Sequence, residues 1–397
     1  MRAAENTFSF VGTTTGLAIP AVASNPMTAQ RRVIDQAAGR RKLRFLDPLA
    51  ESAWAHTLTR FPEHGVFHSA GWLRVLQDTY RFTPCHFVAT QRGQPVAALP
   101  LMEVRSFPGG RRLVSLPFTD HCPVLTAPAV ESDPGSADGV DPTSWTDLWA
   151  GLVTAATARG VRTLEVRAVA APVPGAIRSA EFWGHELDLS GGPEALLQGL
   201  DPAVRRALRK SEREGLTVES RTDRAAMAEY YELHGETRQR HGLPPQPYRF
   251  FEQIWEHLLA KGQGKVVLAR HQGQQVAGAV YLHTGKQAVY KFGASRVASQ
   301  SLRPNNAVMW HALQGYARDG FTRFDFGRTD LSHEGLRRFK LGWGACESAI
   351  AYYKFDLRRR AFVAARDLGH GWHNRVFRLL PLPLARLVGA LIYRRTA

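Results

Sequence analysis

Apolar and polar positions alternate along the chain from about Leu43 onward and divide it into strand-like and helix-like segments. Short runs rich in β-branched and aromatic residues predict strands, whereas apolar positions three and four residues apart predict helices. The two kinds of segment are interleaved, which is typical of an α/β or α+β protein. In the first half the pattern predicts helices at 69–79 and 145–159 and strands at 86–91, 95–104, 111–116 and 162–168.

The second half shows the element order β-α-α-β-β-β-α-β-α-β. Its predicted strands are 216–220, 265–270, 275–283, 287–293, 322–326 and 348–355, and its predicted helices are 223–240, 247–261, 306–318 and 333–341. A connecting helix is predicted to begin at Asp201, because aspartate is a good N-cap and Pro202 suits the first helical position.

The two halves also match each other in sequence. Ala89, Gly93, Gln94, Val96 and Ala97 recur 180 positions later as Ala269, Gly273, Gln274, Val276 and Ala277. Gly160, Leu164 and Glu165 match Gly320, Phe324 and Asp325 at a separation of 160. The first match predicts a hairpin with Gly-Gln at its turn in each half. Such hairpins are common, but two matches in the same order favour an internal duplication over chance.

Basic residues are in excess, with 51 Lys and Arg against 35 Asp and Glu and a formal net charge of +16. This balance excludes an acidic disordered protein, and an apolar fraction of 44% is enough to fill sizeable cores. The excess lies mainly at the ends, net +5 over 1–44 and net +8 over 357–397, which leaves +3 for 45–356. The charge is therefore weak evidence for a nucleic-acid partner and better evidence for a tail that faces a membrane.

The two ends lack the periodicity of the body. Residues 1–42 are predicted to be a disordered leader, and residues 357–397 a basic amphipathic tail. Between 374 and 395, apolar residues alternate with arginines around Pro381 and Pro383, which fits a segment lying on an anionic membrane surface. A helix packed against the body of the protein is the alternative.

Three isolated cysteines, Cys85, Cys122 and Cys346, form no C-x-x-C pair and favour a reducing compartment. The expected location is the cytoplasm, with the tail peripheral to the inner face of the membrane. No apolar run approaches the roughly 18 residues that a membrane span needs. The histidines are scattered along the chain, so no metal site is expected.

Four motifs follow one another in the second half. They are Thr237-Arg238-Gln239-Arg240-His241-Gly242, Tyr290-Lys291-Phe292-Gly293-Ala294-Ser295, Phe324-Asp325-Phe326-Gly327 and Gly335-Leu336-Arg337-Arg338-Phe339-Lys340-Leu341-Gly342-Trp343-Gly344. In this order they resemble the FemAB-like branch of the GNAT acyltransferase superfamily, over about 43–356. The resemblance implies an α+β fold of two tandem GNAT-like domains with mixed central sheets flanked by helices, the first at 43–190 and the second, catalytic one at 191–356.

Known members of that branch transfer an aminoacyl group from aminoacyl-tRNA to an amine of a peptidoglycan precursor, and many relatives are described as acetyltransferases. The resemblance therefore implies an N-acyltransferase that moves an acetyl or aminoacyl group to an amine of a peptidoglycan or exopolysaccharide precursor. No bound cofactor is expected, and acyl-CoA and aminoacyl-tRNA are both candidate donors. The alternative is a non-catalytic protein that binds a nucleotide-sugar or lipid-linked precursor at the membrane surface.

Lys340 falls where the family places an essential lysine, and a cation there would stabilise the oxyanion of acyl transfer. An exposed lysine on a basic helix is the alternative. Phe339, beside it in the same motif, is a substrate-binding candidate. Arg240 matches an arginine that contacts the diphosphate of the family's acceptor, and a solvated helix end is the alternative.

Two further candidates concern the acceptor. Tyr290 lies where the family has an acceptor-contacting tyrosine, although the family's second tyrosine is Phe292 here. Asp120 lies in a loop, 117–123, that resembles the one lining the family's acceptor cleft, and it would orient the incoming amine or accept its proton. An ordinary strand aromatic and a turn-forming aspartate are the respective alternatives.

Two features bear on the donor. GNAT enzymes that use acetyl-CoA hold its pyrophosphate with a Q/R-x-x-G-x-G/A loop at a helix N-terminus. The equivalent stretch here, 300–307, lacks both glycines, and Pro304 removes one amide donor, which argues against the usual grip on CoA. The basic residues on the helix after Asp201 suit either the phosphates of a nucleotide or tRNA, or plain solvation.

Overall fold

The computed structural model of the chain describes residues 34–36, 41–106, 109–128, 145–168, 171–364 and 377–394. Its strands, β1 to β18, are Ile34–Gln36, Arg41–Leu46, Thr83–Pro84, His86–Gln91, Gln94–Leu99, Met102–Ser106, Gly110–Val114, Leu125–Thr126, Thr163–Ala168, Ala180–Asp188, Thr217–Arg221, Gly264–His271, Gln274–Thr284, Gln287–Ser295, Arg323–Asp325, Thr329–Asp330, Cys346–Asp356 and Ala361–Phe362. Its helices, α1 to α10, are Trp54–Leu58, Ala70–Tyr80, Trp145–Ala158, Gly192–Gly199, Pro202–Arg213, Arg224–Arg240, Tyr248–His257, Pro304–Arg318, Glu334–Leu341 and Leu382–Tyr393. Short 3-10 helices cover Val66–His68, Leu259–Lys261 and Val297–Leu302.

The strands form two sheets, a smaller one that is antiparallel throughout and a larger one that is mixed. The smaller sheet has the order β1-β2-β4-β5-β8, and the larger one runs β11-β12-β13-β14-β15-β10-β17-β9-β7-β6-β3, with β16 on β10 and β18 on β17. Because β17 of the second half pairs with β9 of the first, the larger sheet is continuous across the two halves. The predicted α+β fold with helices flanking the sheets is confirmed, but only the larger sheet is mixed as predicted.

The repeated hairpins have the same local geometry. In the first half, β4 and β5 shift register after Ala89, and Arg92 and Gly93 have φ of 49° and 79°. The partners 180 positions later, β12 and β13, shift register after Ala269, and Gln272 and Gly273 have φ of 50° and 77°. A two-residue turn with positive φ at both positions matches the twist of a hairpin. Bulge and turn therefore recur together, as a duplicated unit predicts.

Two of the differences from the sequence pattern bear on the larger sheet. The strand predicted at 95–104 is two strands, because β5 lies in the small sheet and β6 in the large one, with the change of sheet at Pro100 and Leu101. Strand β10 was not predicted, since it is largely half-buried along its first four residues and carries Gly184 at its centre. Its place is set by pairing with β15 on one side and β17 on the other.

The connecting helix is confirmed, and the Asp201 carboxylate accepts the Ala203 N–H at 2.6 Å.

An aromatic core joins the two halves. The Phe118 ring lies 5.8 Å from that of Phe250 and 5.9 Å from that of Tyr393, and Trp72 lies 6.0 Å from Phe250. Phe118 and Trp72 belong to the first half, Phe250 to the second, and Tyr393 to the tail. The packing of these rings brings one loop of the first half against the second half.

The ends are described only in part. Within the leader predicted at 1–42, Ile34–Gln36 form a strand that pairs with β2, and most of the remaining leader lies outside the described residues. In the tail, α10 packs against the body, because Ala385, Gly389 and Tyr393 are buried and Arg386 donates to Glu232 at 2.7 Å. The inner face of α10 is therefore packed against the body of the protein, as the alternative interpretation of the tail predicted. Among the described residues no helix is long and apolar enough to cross a membrane.

Candidate active site

The site lies where two neighbouring strands separate. Strands β14 and β15 run parallel and pair only from Gln287 and Arg323 to Val289 and Asp325. Beyond that point β14 continues along β13, whereas β15 ends. The opening between them is a cavity of about 50 Å³, lined by residues 290–293 on one side and 326–328 on the other. This space is small beside the roughly 300–1,000 Å³ of a typical small-molecule site.

A β-bulge sets the side chains at the mouth of this opening. Tyr290 pairs with Tyr281 and Phe292 pairs with Val280, which leaves Lys291 as the extra residue of β14. A bulge bends its strand and re-aims a side chain. Tyr290, Lys291 and Phe292 all line the cavity as a result.

Lys340 is the buried cation of the cavity. It lies on α9 and is 2% exposed, so the alternative of an exposed lysine on a basic helix is excluded. Its Nζ donates to the carbonyl oxygens of Gly327 at 2.6 Å and Arg328 at 3.1 Å. An ammonium has three N–H groups, and the third has no acceptor among the described residues. Burial lowers the pKa of Lys340 to about 8, although the charges of Asp120 and Asp325 oppose the change.

The turn that holds Lys340 is itself fixed. The Asp325 carboxylate accepts the Gly327 N–H at 2.7 Å, and Gly327 has φ of 70°. This conformation directs the Gly327 and Arg328 carbonyls at the ammonium. Burial raises the pKa of Asp325, and the Gly327 N–H opposes that change.

Asp120 belongs to a loop of the first half, and its side chain lines the same cavity. Its carboxylate lies 3.7 Å from Lys291 Nζ and 3.6 Å from Arg328 Nε, and all three side chains are less than a tenth exposed. Burial alone would raise the pKa of Asp120, but the charges of Lys291, Arg328, Lys340 and Arg167 outweigh it and lower that pKa. Asp120 is therefore an ionised carboxylate held among cations, which is a poor proton acceptor and a strong positioning group.

The loop that carries Asp120 has a constrained backbone. Leu116 and Phe118 have φ of 41° and 62°, which bulky residues rarely adopt. Arg167 donates to the carbonyls of Leu116 and Thr119, and Lys291 donates to that of Phe118 at 2.5 Å. Backbone strain of this kind persists only where the surrounding structure holds it, and it is concentrated at functional sites.

Three polar side chains from 234–246 also line the cavity, and not all of them are charged. His234 Nε2 lies 2.8 Å from Gln246 Oε1, and both side chains line the cavity. Burial lowers the pKa of His234 to about 3, so this imidazole is neutral at physiological pH. Arg238 also lines the cavity, and its Nη2 donates to the Tyr393 hydroxyl at 2.6 Å.

Comparison with known proteins shows similarities for the part of the chain around this cavity. The profile of the acetyltransferase (GNAT) domain family matches residues 202–354. The lipid II:glycine glycyltransferases of Staphylococcus saprophyticus subsp. saprophyticus and Staphylococcus aureus are 36% and 35% identical over 80 residues. The crystal structure of FemX has a TM-score of 0.57 at 14% identity and covers 75% of this chain and 94% of its own. Residues 202–354 are therefore similar to a GNAT acetyltransferase domain.

The aligned segment is short beside the whole proteins. It spans 18% of this chain and 19% of each glycyltransferase, so the chain matches about a fifth of their length. The likeness to FemX shows the shared fold. The segment that matches the GNAT family, 202–354, contains β14, β15 and α9, and thus every part of the cavity except the loop with Asp120.

The structure brings three of the five site residues predicted from the sequence into one cavity. Lys340, Asp120 and Tyr290 line it. Arg240 instead donates from Nη1 to the Ser295 carbonyl at 2.9 Å, at the end of β14. Phe339 points to the other side of α9, where its ring lies 5.9 Å from that of Trp343.

Three charged residues of the cavity were missed by sequence reasoning. Arg238 and Lys291 lie within two of the motifs but were given no role, and Arg328 follows the Phe-Asp-Phe-Gly motif directly. Lysine is rare in this chain, with eight residues, so a lysine inside an apolar strand is a signal that could have singled out Lys291. Arg238 and Arg328 gave no such signal, because arginine is abundant throughout.

The start of α8 differs from a pyrophosphate cradle. Arg303 has φ of 62°, Pro304 occupies the first helical position, and Asn306 and Ala307 both donate their N–H groups to the Arg303 carbonyl. Anion sites at helix termini use backbone N–H groups that have no partner within the helix. The start of α8 therefore offers fewer free amides for a CoA pyrophosphate than the usual glycine-rich loop.

Replacing Gly327 by alanine is expected to lower the unfolding free energy by more than the strain of placing alanine at a positive φ. A Cβ at Gly327 would lie 2.8 Å from Asp120 Oδ2, and φ there is 70°. Gly93 has φ of 79° and open space around it, so Gly93→Ala carries the backbone cost of about 1–2 kcal/mol alone. In denaturant titrations Gly327→Ala should lose about 1–3 kcal/mol more than Gly93→Ala. Equal losses would show that the Asp120 contact is not tight.

Proposed function

We propose that the protein is an N-acyltransferase that moves an acetyl or aminoacyl group from an activated ester or thioester to an amine of a cell-envelope precursor. The observation that carries the proposal is the Lys340 ammonium, buried at the opening of β14 and β15 with two N–H groups on the carbonyls of Gly327 and Arg328. Its third N–H is left to a group in the cavity. A fixed, buried cation favours a reaction that develops negative charge on an oxygen.

The chemistry follows from that arrangement. The amine nitrogen attacks the carbonyl carbon of the donor, a C–N bond forms, and negative charge develops on the carbonyl oxygen beside Lys340. Collapse of this intermediate breaks the C–O or C–S bond, and the alcohol or thiol leaves with a proton that balances the one lost by the amine. We assign Asp120 to the orientation of the amine rather than to proton removal, because its low pKa makes it a weak base.

The acceptor is proposed by analogy with the names of the matched relatives, which are lipid II:glycine glycyltransferases. Tyr290 lines the cavity and is proposed to contact the acceptor. Arg240 and Phe339 lie outside it, so we propose that they act only on parts of a substrate that extend beyond the cavity, a diphosphate in the case of Arg240. The proposed location is the cytoplasm, at the inner face of the membrane.

Two donors remain candidates, and one experiment separates them from each other and from a protein that only binds. Purified protein is incubated with radiolabelled acetyl-CoA or with aminoacyl-tRNA, each with and without an extract of envelope precursors. Transfer of label to an amine of the precursor supports the proposal. Loss of transfer after RNase treatment assigns tRNA as the donor, and RNase-resistant transfer assigns the thioester. Consumption of neither donor, with precursor still bound, would overturn the proposal in favour of a binding protein.

The pH dependence of turnover should follow Lys340. Burial lowers the pKa of Lys340 to about 8, and an ammonium stabilises an oxyanion only when it is protonated. We therefore expect kcat to be constant below about pH 8 and to fall as the pH rises through this value. Lys340→Arg, whose guanidinium stays charged, should retain less activity but lose the decline. A kcat in the wild type that stays level up to pH 10 would contradict the assigned role.

A further inference from the structure

We propose that the outer face of α10 binds an anionic membrane surface. This inference goes beyond the acyltransferase function and does not depend on it. It rests on an apolar face that the fold leaves uncovered, on the charges at its two ends, and on the fixed orientation of the helix.

The apolar face is a row of leucines. Leu384, Leu387 and Leu391 are 52%, 59% and 63% exposed, and Leu379, just before the helix, is 85% exposed. Their spacing of three and four residues places them on one side of α10. Single exposed leucines are ordinary, but a row along one helix marks an interaction surface.

The ends of this face are basic. Arg378 precedes α10 and Arg394 follows it, and both are exposed. The sequence from 368 to 397 contains no aspartate or glutamate, so no acidic side chain of that segment offsets them. Arg386, within the helix, is instead paired with Glu232 on the inner side. Apolar residues bordered by arginine match the acyl chains and the anionic headgroups of a lipid surface.

The inner face holds the helix in one orientation. Gly389 packs on the Pro245 carbonyl so closely that a Cβ would overlap it, and Ala385 is fully buried. Tyr393 donates to the Pro244 carbonyl at 3.1 Å and receives Arg238 Nη2. Twelve residues of helix span about 18 Å, which is too short to cross a hydrocarbon core of about 30 Å. The leucines can therefore enter only the interfacial layer.

A lipid surface fits this face better than a second copy of the chain. In a symmetric pair of antiparallel helices, Arg378 of one copy would approach Arg394 of the other, and the segment holds no acid to relieve the repulsion. An anionic headgroup layer attracts both arginines. Because Arg238 joins Tyr393 to the cavity, bound α10 would also keep the site close to the membrane surface.

Vesicle flotation with the full chain tests the proposal. The vesicles are phosphatidylcholine alone, or two parts phosphatidylcholine to one part phosphatidylglycerol. We expect the wild type to float with the anionic vesicles and only weakly with the neutral ones. Leu384→Ser, Leu387→Ser and Leu391→Ser together should lower the partition coefficient about ten-fold or more. Arg378→Gln with Arg394→Gln should lower it about five-fold per arginine and leave folding intact.

Matched surface changes serve as controls. Leu197→Ser with Val297→Ser removes apolar side chains of similar exposure, and Arg74→Gln with Arg92→Gln removes the same charge elsewhere. Neither pair should alter flotation. The proposal is overturned if the wild type does not bind anionic vesicles, or if the leucine variant binds as well as the wild type. A leucine variant that loses self-association in sedimentation, with flotation unchanged, would overturn it in favour of an interface between copies.

Discussion

Lys340→Met is expected to lower kcat by about 10²–10³ while the affinity for donor changes little, because the loss of a preorganised charge at the oxyanion costs this much in comparable sites. The methionine chain keeps the length and apolar body of lysine and removes only the ammonium. Single-turnover measurements at saturating donor, with the binding constant measured separately, distinguish the chemical step from binding.

The control must separate catalysis from folding. Lys340→Met also leaves the carbonyls of Gly327 and Arg328 without their buried donor, which costs about 1–3 kcal/mol for each unsatisfied group. The unfolding free energy is therefore measured in the same samples. Lys261→Met, at an exposed lysine, should change neither stability nor turnover. A kcat within a few-fold of the wild type would refute the role given to Lys340.

Asp120→Asn is expected to lower the unfolding free energy by about 3–5 kcal/mol, since it leaves Lys291 and Arg328 as buried cations without their carboxylate. Adding Lys291→Met to this variant should restore part of the loss, because one of the two unpaired charges is then gone. Denaturant titrations of both single variants and the double variant give the coupling energy directly.

The effect of Asp120→Asn should depend on pH with a defined sign. The pKa of Asp120 is lowered in the folded state, so its contribution is complete above the unfolded value of about 3.9 and is lost as pH falls through the folded value. The difference in unfolding free energy between the wild type and Asp120→Asn should therefore become smaller below about pH 4. Glu186→Gln, which breaks the exposed pair with Arg323, should cost less than about 1 kcal/mol and serves as control. If Asp120→Asn lowered the unfolding free energy by a similarly small amount, the buried ion pairs would not stabilise the protein by more than the cost of desolvating their charges.

The sequence motifs located one side of the site well. Lys340 and Tyr290 were assigned from the order of four motifs in the second half, and both line the cavity. Arg240 and Phe339 came from the same motifs yet lie outside it. On α6, Arg238 is buried and lines the cavity whereas Arg240 is half-buried and does not, and a motif alone does not say which of two nearby arginines turns inward.

The element order of the second half, the duplicated hairpins and the helix caps were determined by local chemistry, which the sequence carries by itself. A positive φ at Gly93 and Gly273, or the Asp201 cap, involves residues close together in the chain. The electrostatics of the site was decided only by the tertiary structure. Asp120 and Lys291 are 171 positions apart, and their meeting depends on how a strained loop of the first half packs against a bulged strand of the second. Hydrophobic periodicity reports which face of an element is buried, but it does not report which distant charge is buried beside it.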